Sequence, residues 1–311
     1  MKAIVTGGAG FIGSHLVEAL ITRKDEVHII DNLSTGHQTF IQPNAVFHHT
    51  DITNNKVKEI IIREKPDIVF HLAAQADVTK SIHSPKFDAD VNISGTINLL
   101  EACKEANVKQ FIFSSTSAVY GNLEKQLINE DDPSIPISYY GLSKLTSESY
   151  IKIFHELYGL PYTILRYGNV FGPRQTAKGE GGVIAVFLER MRDNLPINVH
   201  GDGEQTRDFV YVEDVVQANI LASVNASNNT LHVSTSKKTA VNEIVQKFNE
   251  VHHSKITPIH VQARQGDIKH SCLDNQKAKR IINWHPKTDI SDGLKKTYDY
   301  CFNLLNSETD M

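Results

Sequence analysis

Short apolar runs alternate with helix-length stretches through the first half of the chain. The runs are "KAIVT" (2–6), "VHII" (27–30), "DIVFHLAA" (67–74), "QFIFSST" (110–116) and "YTILRYGNV" (162–170). Near-continuous apolar strands separated by helices are the pattern of a parallel sheet covered on both faces, so the fold class is α/β with a doubly wound sheet. The clearest helix spans 92–106, where Ile93, Ile97, Leu100 and Cys103 recur at spacings of three and four. That face could cover the sheet or meet another subunit. Beyond about residue 170 the Gly and Pro clusters "FGPRQ", "GEGG" and "GDGEQ" break the order, which predicts a smaller C-terminal cap over the sheet.

The first chemically specific stretch is "VTGGAGFIGSH". Gly7, Gly10 and Gly13 follow a strand and open a helix, so the backbone can turn tightly, approach a pyrophosphate and present helix N-terminal N–H groups to it. Asp31 ends the next strand, where a carboxylate can accept from a ribose 2′-hydroxyl. No Lys or Arg occurs from Asp31 to Asn55 to hold a 2′-phosphate. A Rossmann-type dinucleotide domain that prefers NAD to NADP is expected.

A second stretch, "FIFSSTSAVYG" (111–121), runs from buried apolar residues into four hydroxyls, Ser114 to Ser117. Open α/β sheets bind ligands beyond the carboxyl ends of their strands, which is where these hydroxyls lie. Ser114 and Ser115 could equally cap the strand end by bonding backbone groups. In "SYYGLSKLTSESYIKIF", Tyr140 and Lys144 are four apart and share one helix face. A cation beside a phenol favours the phenolate, a general base near neutral pH.

Gly7-x-x-Gly10-x-x-Gly13, "HLAA", Asn92, "FSSTSAVYG" and Tyr140-x-x-x-Lys144 together resemble the extended short-chain dehydrogenase/reductase family. "LRYGNVFGPRQ", "GDGEQTRDFVYVEDV" and "RQGDIKHSCLD" narrow the likeness to its UDP-hexose 4-epimerases, of the UDP-glucose/UDP-galactose type. The resemblance implies a Rossmann-type doubly wound parallel sheet with a smaller C-terminal α/β substrate-binding domain. The NAD-binding domain would span 1–168 plus about 203–232, and the UDP-sugar cap 169–202 and 233–311. It implies catalysis by Tyr140, Lys144 and Thr116, with Thr116 at the sugar O4. NAD would be held by Gly7, Gly10, Phe11, Ile12, Gly13, Asp31, Asn32, Asp51, Ile52, Leu72, Ala73, Ala74, Gln75, Asn92, Ser114, Tyr140 and Lys144. The UDP-sugar would meet Thr116, Asn169, Val183, Ile197, Val199, Arg207, Arg264, Asp267 and Ser271. Arg207 and Arg264 would grip the diphosphate, and the small Ser271 would admit an N-acetyl group. Related 4,6-dehydratases carry an Asp-Glu pair after the Thr, whereas here Thr116 precedes Ser117 and Ala118, leaving elimination without a proton donor or acceptor. A UDP-glucuronate 4-epimerase, another nucleotide-sugar oxidoreductase of this family, or a non-catalytic NAD-sensing regulator remain as alternatives.

Composition adds exclusions. The 311 residues are 40% hydrophobic and 22% charged with net charge -4, an ordinary globular balance with no electrostatic reason to bind nucleic acid or a membrane. Cys103, Cys272 and Cys301 are scattered without C-x-x-C spacing, so no metal site is expected and a reducing, cytoplasmic setting is. No apolar run approaches the roughly 20 residues of a membrane span. Relatives commonly pair helices resembling 92–106 and 143–158, which implies a homodimer.

Overall fold

A computed structural model describes residues 1–177, 182–252, 255–263 and 268–308, with side chains to 303. The first half runs β1 (Lys2–Thr6), α1 (Phe11–Thr22), β2 (Glu26–Asp31), β3 (Val46–His49), α2 (Lys56–Glu64), β4 (Ile68–His71), α3 (Val78–His83), α4 (Pro85–Ala89), α5 (Gly95–Glu105), β5 (Gln110–Thr116), α6 (Tyr139–Tyr158) and β6 (Tyr162–Tyr167). The remainder runs β7 (Asn169–Phe171), α7 (Val183–Arg192), β8 (Asn198–His200), β9 (Thr206–Arg207), β10 (Phe209–Tyr211), α8 (Val212–Asn225), β11 (Asn229–Val233), β12 (Thr239–Ala240), α9 (Val241–Val251), β13 (Ile259–Val261), α10 (Gln276–Ile282) and α11 (Ile290–Glu308).

Seven parallel strands form one sheet in the order β11-β6-β5-β4-β1-β2-β3. Alternation along each strand fills two cores. Val5, Ile29, Phe70, Ile112 and Leu165 pack with α1 and α8 on one face. Ile4, Ile30, Val69, Phe111 and Ile164 pack with α2, α5 and α6 on the other. Burial on both faces is why these strands read as continuous apolar runs. A third core, the cap core, gathers Phe171, Phe187, Val199, Tyr211, Phe248 and Leu294, of which Tyr211 comes from the stretch 203–232 expected in the NAD-binding domain. Ala278, Ile282 and Trp284, from the C-terminal segment, pack in the sheet core and not in the cap core.

The chain moves outward from β1 through β2 to β3, then returns to place β4 on the other side of β1. The order of the strands therefore reverses between β1 and β4, and the ligand crevice of an open α/β sheet forms at such a reversal.

Several expected elements differ in detail. The helix expected at 92–106 begins at Gly95 and is preceded by a π-helical turn, Asp90–Ser94. Over 92–105 the buried positions are Asn92, Gly95, Thr96, Leu99, Leu100, Ala102 and Cys103, so the inward face is rotated from the expected one and Ile93 and Ile97 are only half-buried. The run 162–170 divides after Gly168, whose N–H makes a last bond to β11 at Val233 O (3.0 Å), and Asn169 then pairs with β10 instead of continuing the sheet. Strand β4 ends at His71; Leu72 N still donates to Thr6 O (3.2 Å), and the chain leaves the ladder after it.

Candidate active site

The glycine turn is built by its own hydrogen bonds. Gly7 N donates to Ile30 O (2.8 Å), Gly10 N to Gly7 O (3.0 Å), and Gly7 adopts φ +70°, a region that only glycine enters at little cost. A Cβ on Gly13 would stand 2.0 Å from Gly7 O, so this third glycine is required by helix-to-turn packing alone. Helix α1 starts at Gly10 with no side-chain cap, which leaves its first-turn N–H groups suited to a pyrophosphate. Asp31 accepts from Ala9 N (3.0 Å) and Leu33 N (2.8 Å); burial raises its pKa, and the two N–H groups oppose the rise.

These residues open a cleft of about 410 Å³ at the strand reversal. Gly7, Gly10, Phe11, Ile12, Gly13, Asp31, Asn32, Asp51 and Ile52 line one side, and Leu72, Ala73, Ala74 and Gln75 the other. Ser114, Tyr140 and Lys144 close its inner end with Ser115 and Tyr167. Asn32 Nδ2 donates to Asp51 Oδ2 (2.6 Å), tying the loops after β2 and β3. Asn92 alone of the residues expected around the dinucleotide does not line the cleft. It is buried, donates to Gln75 O (2.9 Å) and Ser143 Oγ (3.0 Å), and accepts from Gln75 N (2.8 Å), so it links the cleft wall to α6. The residues present fit a dinucleotide with a 2′-hydroxyl: a glycine cradle, an uncapped helix start and a carboxylate.

Helix α6 begins at a Ser138 cap that accepts from Gly141 N (3.1 Å). Lys144, 3% exposed, donates from Nζ to Ser114 O (2.8 Å) and lies over the Phe113 ring. With burial foremost and this cation second, the His71 imidazole is held well below its usual pKa, and His71 sits between Thr6 Oγ1 (2.8 Å) and Thr96 Oγ1 (2.9 Å).

The row of hydroxyls divides. Ser114 Oγ donates to His71 O (3.1 Å) and Ser115 Oγ to Glu148 Oε1 (2.6 Å), so both have internal partners. Thr116 Oγ1 accepts from Ala118 N (3.1 Å) and so caps the 3₁₀ turn Ser117–Tyr120; it stands at the end of β5 without being among the residues that line the cleft.

Among the described residues, those expected on the substrate side lie outside the 410 Å³ cleft. Asn169 opens β7 and donates N–H to Asp208 O (2.7 Å); Val183 opens α7. Ile197 and Val199 bury their side chains in the cap core, so only their backbone could meet a ligand. Arg207 ends β9 and donates to Thr206 O (2.9 Å). Ser271 is buried beside that strand, with its N–H on Thr206 O (3.2 Å). Arg264 and Asp267 lie outside the described residues.

Several groups at the site were not singled out from sequence. Ser34 and Thr35 line the cleft just beyond Asp31, and a hydroxyl pair three and four residues after the acidic residue was the available signal. Lys80 and Phe87 line it too, stacked at 4.5 Å, but nothing in their spacing announces it. Asp208 is buried and accepts from Thr235 N and Oγ1, Ser236 N and Leu273 N, joining the segments that carry Arg207 and Ser271. Among the described residues one group, His28, His48 and Glu64, could gather around a metal ion. None of the three lines the cleft, and the two imidazoles bond each other, Nδ1 to Nε2, at 3.0 Å.

The profile of the NAD dependent epimerase/dehydratase family matches residues 3–234. The chain is similar to the UDP-glucose 4-epimerase of Thermotoga maritima solved with UDP-glucose: 42% identity, TM-score 0.96, covering 98% of this chain and 100% of that one. It is also similar to the Thermus thermophilus UDP-glucose 4-epimerase solved with NAD, at 37% identity and TM-score 0.91, covering 97% and 99%. A third likeness is to the UDP-N-acetylglucosamine 4-epimerase of Methanobrevibacter ruminantium, solved with UDP-N-acetylmuramic acid, at 37% identity and TM-score 0.93, covering 97% and 98%.

Proposed function

The chain belongs to the NAD dependent epimerase/dehydratase family and is an NAD-dependent epimerase of UDP-hexoses; from that premise we propose which of its residues invert C4 and how. The observation that carries the reading is the meeting of Tyr140 and Lys144 with the end of β5 in the cleft that the glycine turn opens.

NAD, when bound, supplies a reversible hydride acceptor. Gly7, Gly10 and Gly13 with the α1 N-terminus hold its pyrophosphate, and Asp31 its ribose hydroxyl. Tyr140 takes the O4 proton as general base and returns it to O4 once the sugar has turned to present its other face. Lys144 favours the phenolate, and Thr116 orients O4. Arg207 and Arg264 grip the diphosphate while the sugar swings, since guanidinium forks bind such oxygens in pairs. Asn169, Val183, Asp267 and the backbone of Ile197 and Val199 complete the UDP-sugar site, and Ser271 leaves room for an N-acetyl group. No carboxylate follows Thr116, so the chemistry stops at C4.

The protein acts as a homodimer through α6, whose Tyr139, Leu142, Tyr150, Ile153 and Leu157 form an exposed apolar stripe at spacings of three and four or their sums. No helix among the described residues is long and apolar enough to cross a membrane.

Separate incubation with UDP-glucose, UDP-N-acetylglucosamine and UDP-glucuronate, without added NAD, followed by assignment of C4 in each product, tests the reading. Inversion of the first two is expected. Inversion of the glucuronate alone, or a requirement for stoichiometric NAD, overturns it.

A further inference from the structure

Besides Lys144, helix α6 carries a second buried charged side chain, Glu148, which does not reach the cleft. Glu148 lies one turn beyond Lys144 and two beyond Tyr140, on the same face. It is 0% exposed, and Arg166 on β6 is 4% exposed. Their contact is a fork: Arg166 Nε donates to Oε1 (2.9 Å) and Nη2 to Oε2 (2.6 Å). Ser115 on β5, the register partner of Arg166, donates to the same Oε1 (2.6 Å). One carboxylate therefore ties α6 to both strands. The remaining Arg166 donor, Nη1, turns to Tyr120 Oη, so the guanidinium is held on both sides.

Stability alone does not explain such a pair. Desolvating two charges is costly, and apolar residues of similar volume often hold a helix as well or better. Apolar packing, however, lets a helix slide or rotate slightly, whereas a planar two-point fork fixes both motions. At 1.5 Å per residue the fork stands about 6 Å along the axis from Lys144 and about 12 Å from Tyr140, so any slip there is passed to the phenol undiminished.

We propose that Glu148 and Arg166, with Ser115 as the third member, are positioning residues for the reaction: they set the axial and rotational register of α6 that brings Lys144 and Tyr140 to the end of β5. This rests on the reading of Tyr140 as the base.

The test is the paired replacement Glu148→Met/Arg166→Met, which removes both charges together and keeps the bulk. The melting temperature should stay near that of the unaltered protein and KM for the UDP-hexose should hold. The kcat should fall on the order of 10²-fold, as for a displacement near 1 Å at a reacting group. The acid limb of the kcat–pH profile should move to higher pH, because a displaced ammonium favours the phenolate less. Recovery of melting temperature, kcat and pH profile together would show a structural pair and overturn the proposal.

Ser115→Ala leaves the charges paired and should lower kcat about tenfold, the order of one lost hydrogen bond to a charged group. In the Met/Met background it should lower kcat little further, because the three residues act as one unit. Full additivity overturns the proposal. If the Met/Met protein does not fold, Ser115→Ala decides alone, and an unchanged kcat and pH profile rejects the role. Failure of the unaltered protein to invert any UDP-hexose would instead refute the reading of Tyr140, a separate outcome.

Discussion

Replacing Gly13 by Ala tests the cofactor cradle, because the structure separates two reasons for a glycine in one turn. At Gly13 the added Cβ meets Gly7 O at 2.0 Å, Gly7 C at 2.8 Å and Gly8 Cα at 2.9 Å, all backbone atoms that cannot rotate away. Ordinary contact begins at 3.4 Å, so turn and helix must part by about 1.4 Å against a steep repulsion. Such overpacking costs about 1–3 kcal/mol. For a chain of 311 residues that is a fall in melting temperature of about 2–5 °C and, where the strain falls on the cradle, a loss of about 10–100-fold in NAD affinity. At Gly10 the nearest atom to an added Cβ is Gly7 O at 3.1 Å, which a shift of a few tenths of an ångström relieves. Gly10→Ala should therefore melt like the unaltered protein without NAD and lose the nucleotide only because its methyl stands where the pyrophosphate approaches. The assay is calorimetry of each variant without NAD, together with nucleotide retained per chain after purification. A Gly13→Ala protein that melts normally and keeps its nucleotide, or a Gly10→Ala protein as unstable as Gly13→Ala, would refute the reasoning.

Tyr140→Phe should lower turnover by at least about 10²-fold with NAD still bound, measured by product formation and retained nucleotide. Acid should weaken the fold through its buried histidines: burial pushes His232 down to about 3, whereas an unfolded chain protonates it near 6.5. The folded state then holds fewer protons between those values, so this stability is complete above pH 6.5 and declines as pH falls, by about 1.4 kcal/mol per unit. Melting temperatures from pH 7.5 to 5 should show the decline, with a shallower slope in His232→Gln. Ser271→Tyr should abolish inversion of UDP-N-acetylglucosamine and spare UDP-glucose, read as the ratio of the two rates; equal loss of both would show that 271 is not the gate.

The sequence was most legible where local chemistry and periodicity agree. β1, β5 and the start of β6 announced themselves because strands buried on both faces carry consecutive apolar residues at their centres, as at residues 3–5, 111–113 and 164–165. The glycines, Asp31, Tyr140 and Lys144 were legible because a turn, a carboxylate after a strand and a spacing of four each have one strong physical reading. β3 and β11 were not foreseen. "VFHH" ends in two histidines at the sheet edge, and "NTLHV" carries a buried His232 whose partners, Tyr120 and Asp274, lie far off in sequence. Glu148 and Arg166 read as ordinary helix and strand charges, since a lone Glu gives no sign that its counter-ion sits 18 residues away on a buried strand. The cap was least legible, because its short strands β8, β9, β12 and β13 exist only through pairing with distant partners.

The placement of β11 bears on the order of events during synthesis. Every described residue lining the cleft lies between Gly7 and Tyr167, so the whole lining leaves the ribosome within the first 167 of 311 residues. The core beneath the inner end of that cleft is finished much later: Leu165 and Tyr167 are covered by Val215, Leu231, Ala278 and Trp284, and the Trp284 indole locks onto Asp214 O (2.9 Å). A nascent chain of about 200 residues thus carries the cradle with its supporting face still wet and β6 an unpaired edge. Until the chain passes residue 284, that bare apolar face and open strand edge are the kind of surface that makes a folding intermediate prone to aggregation.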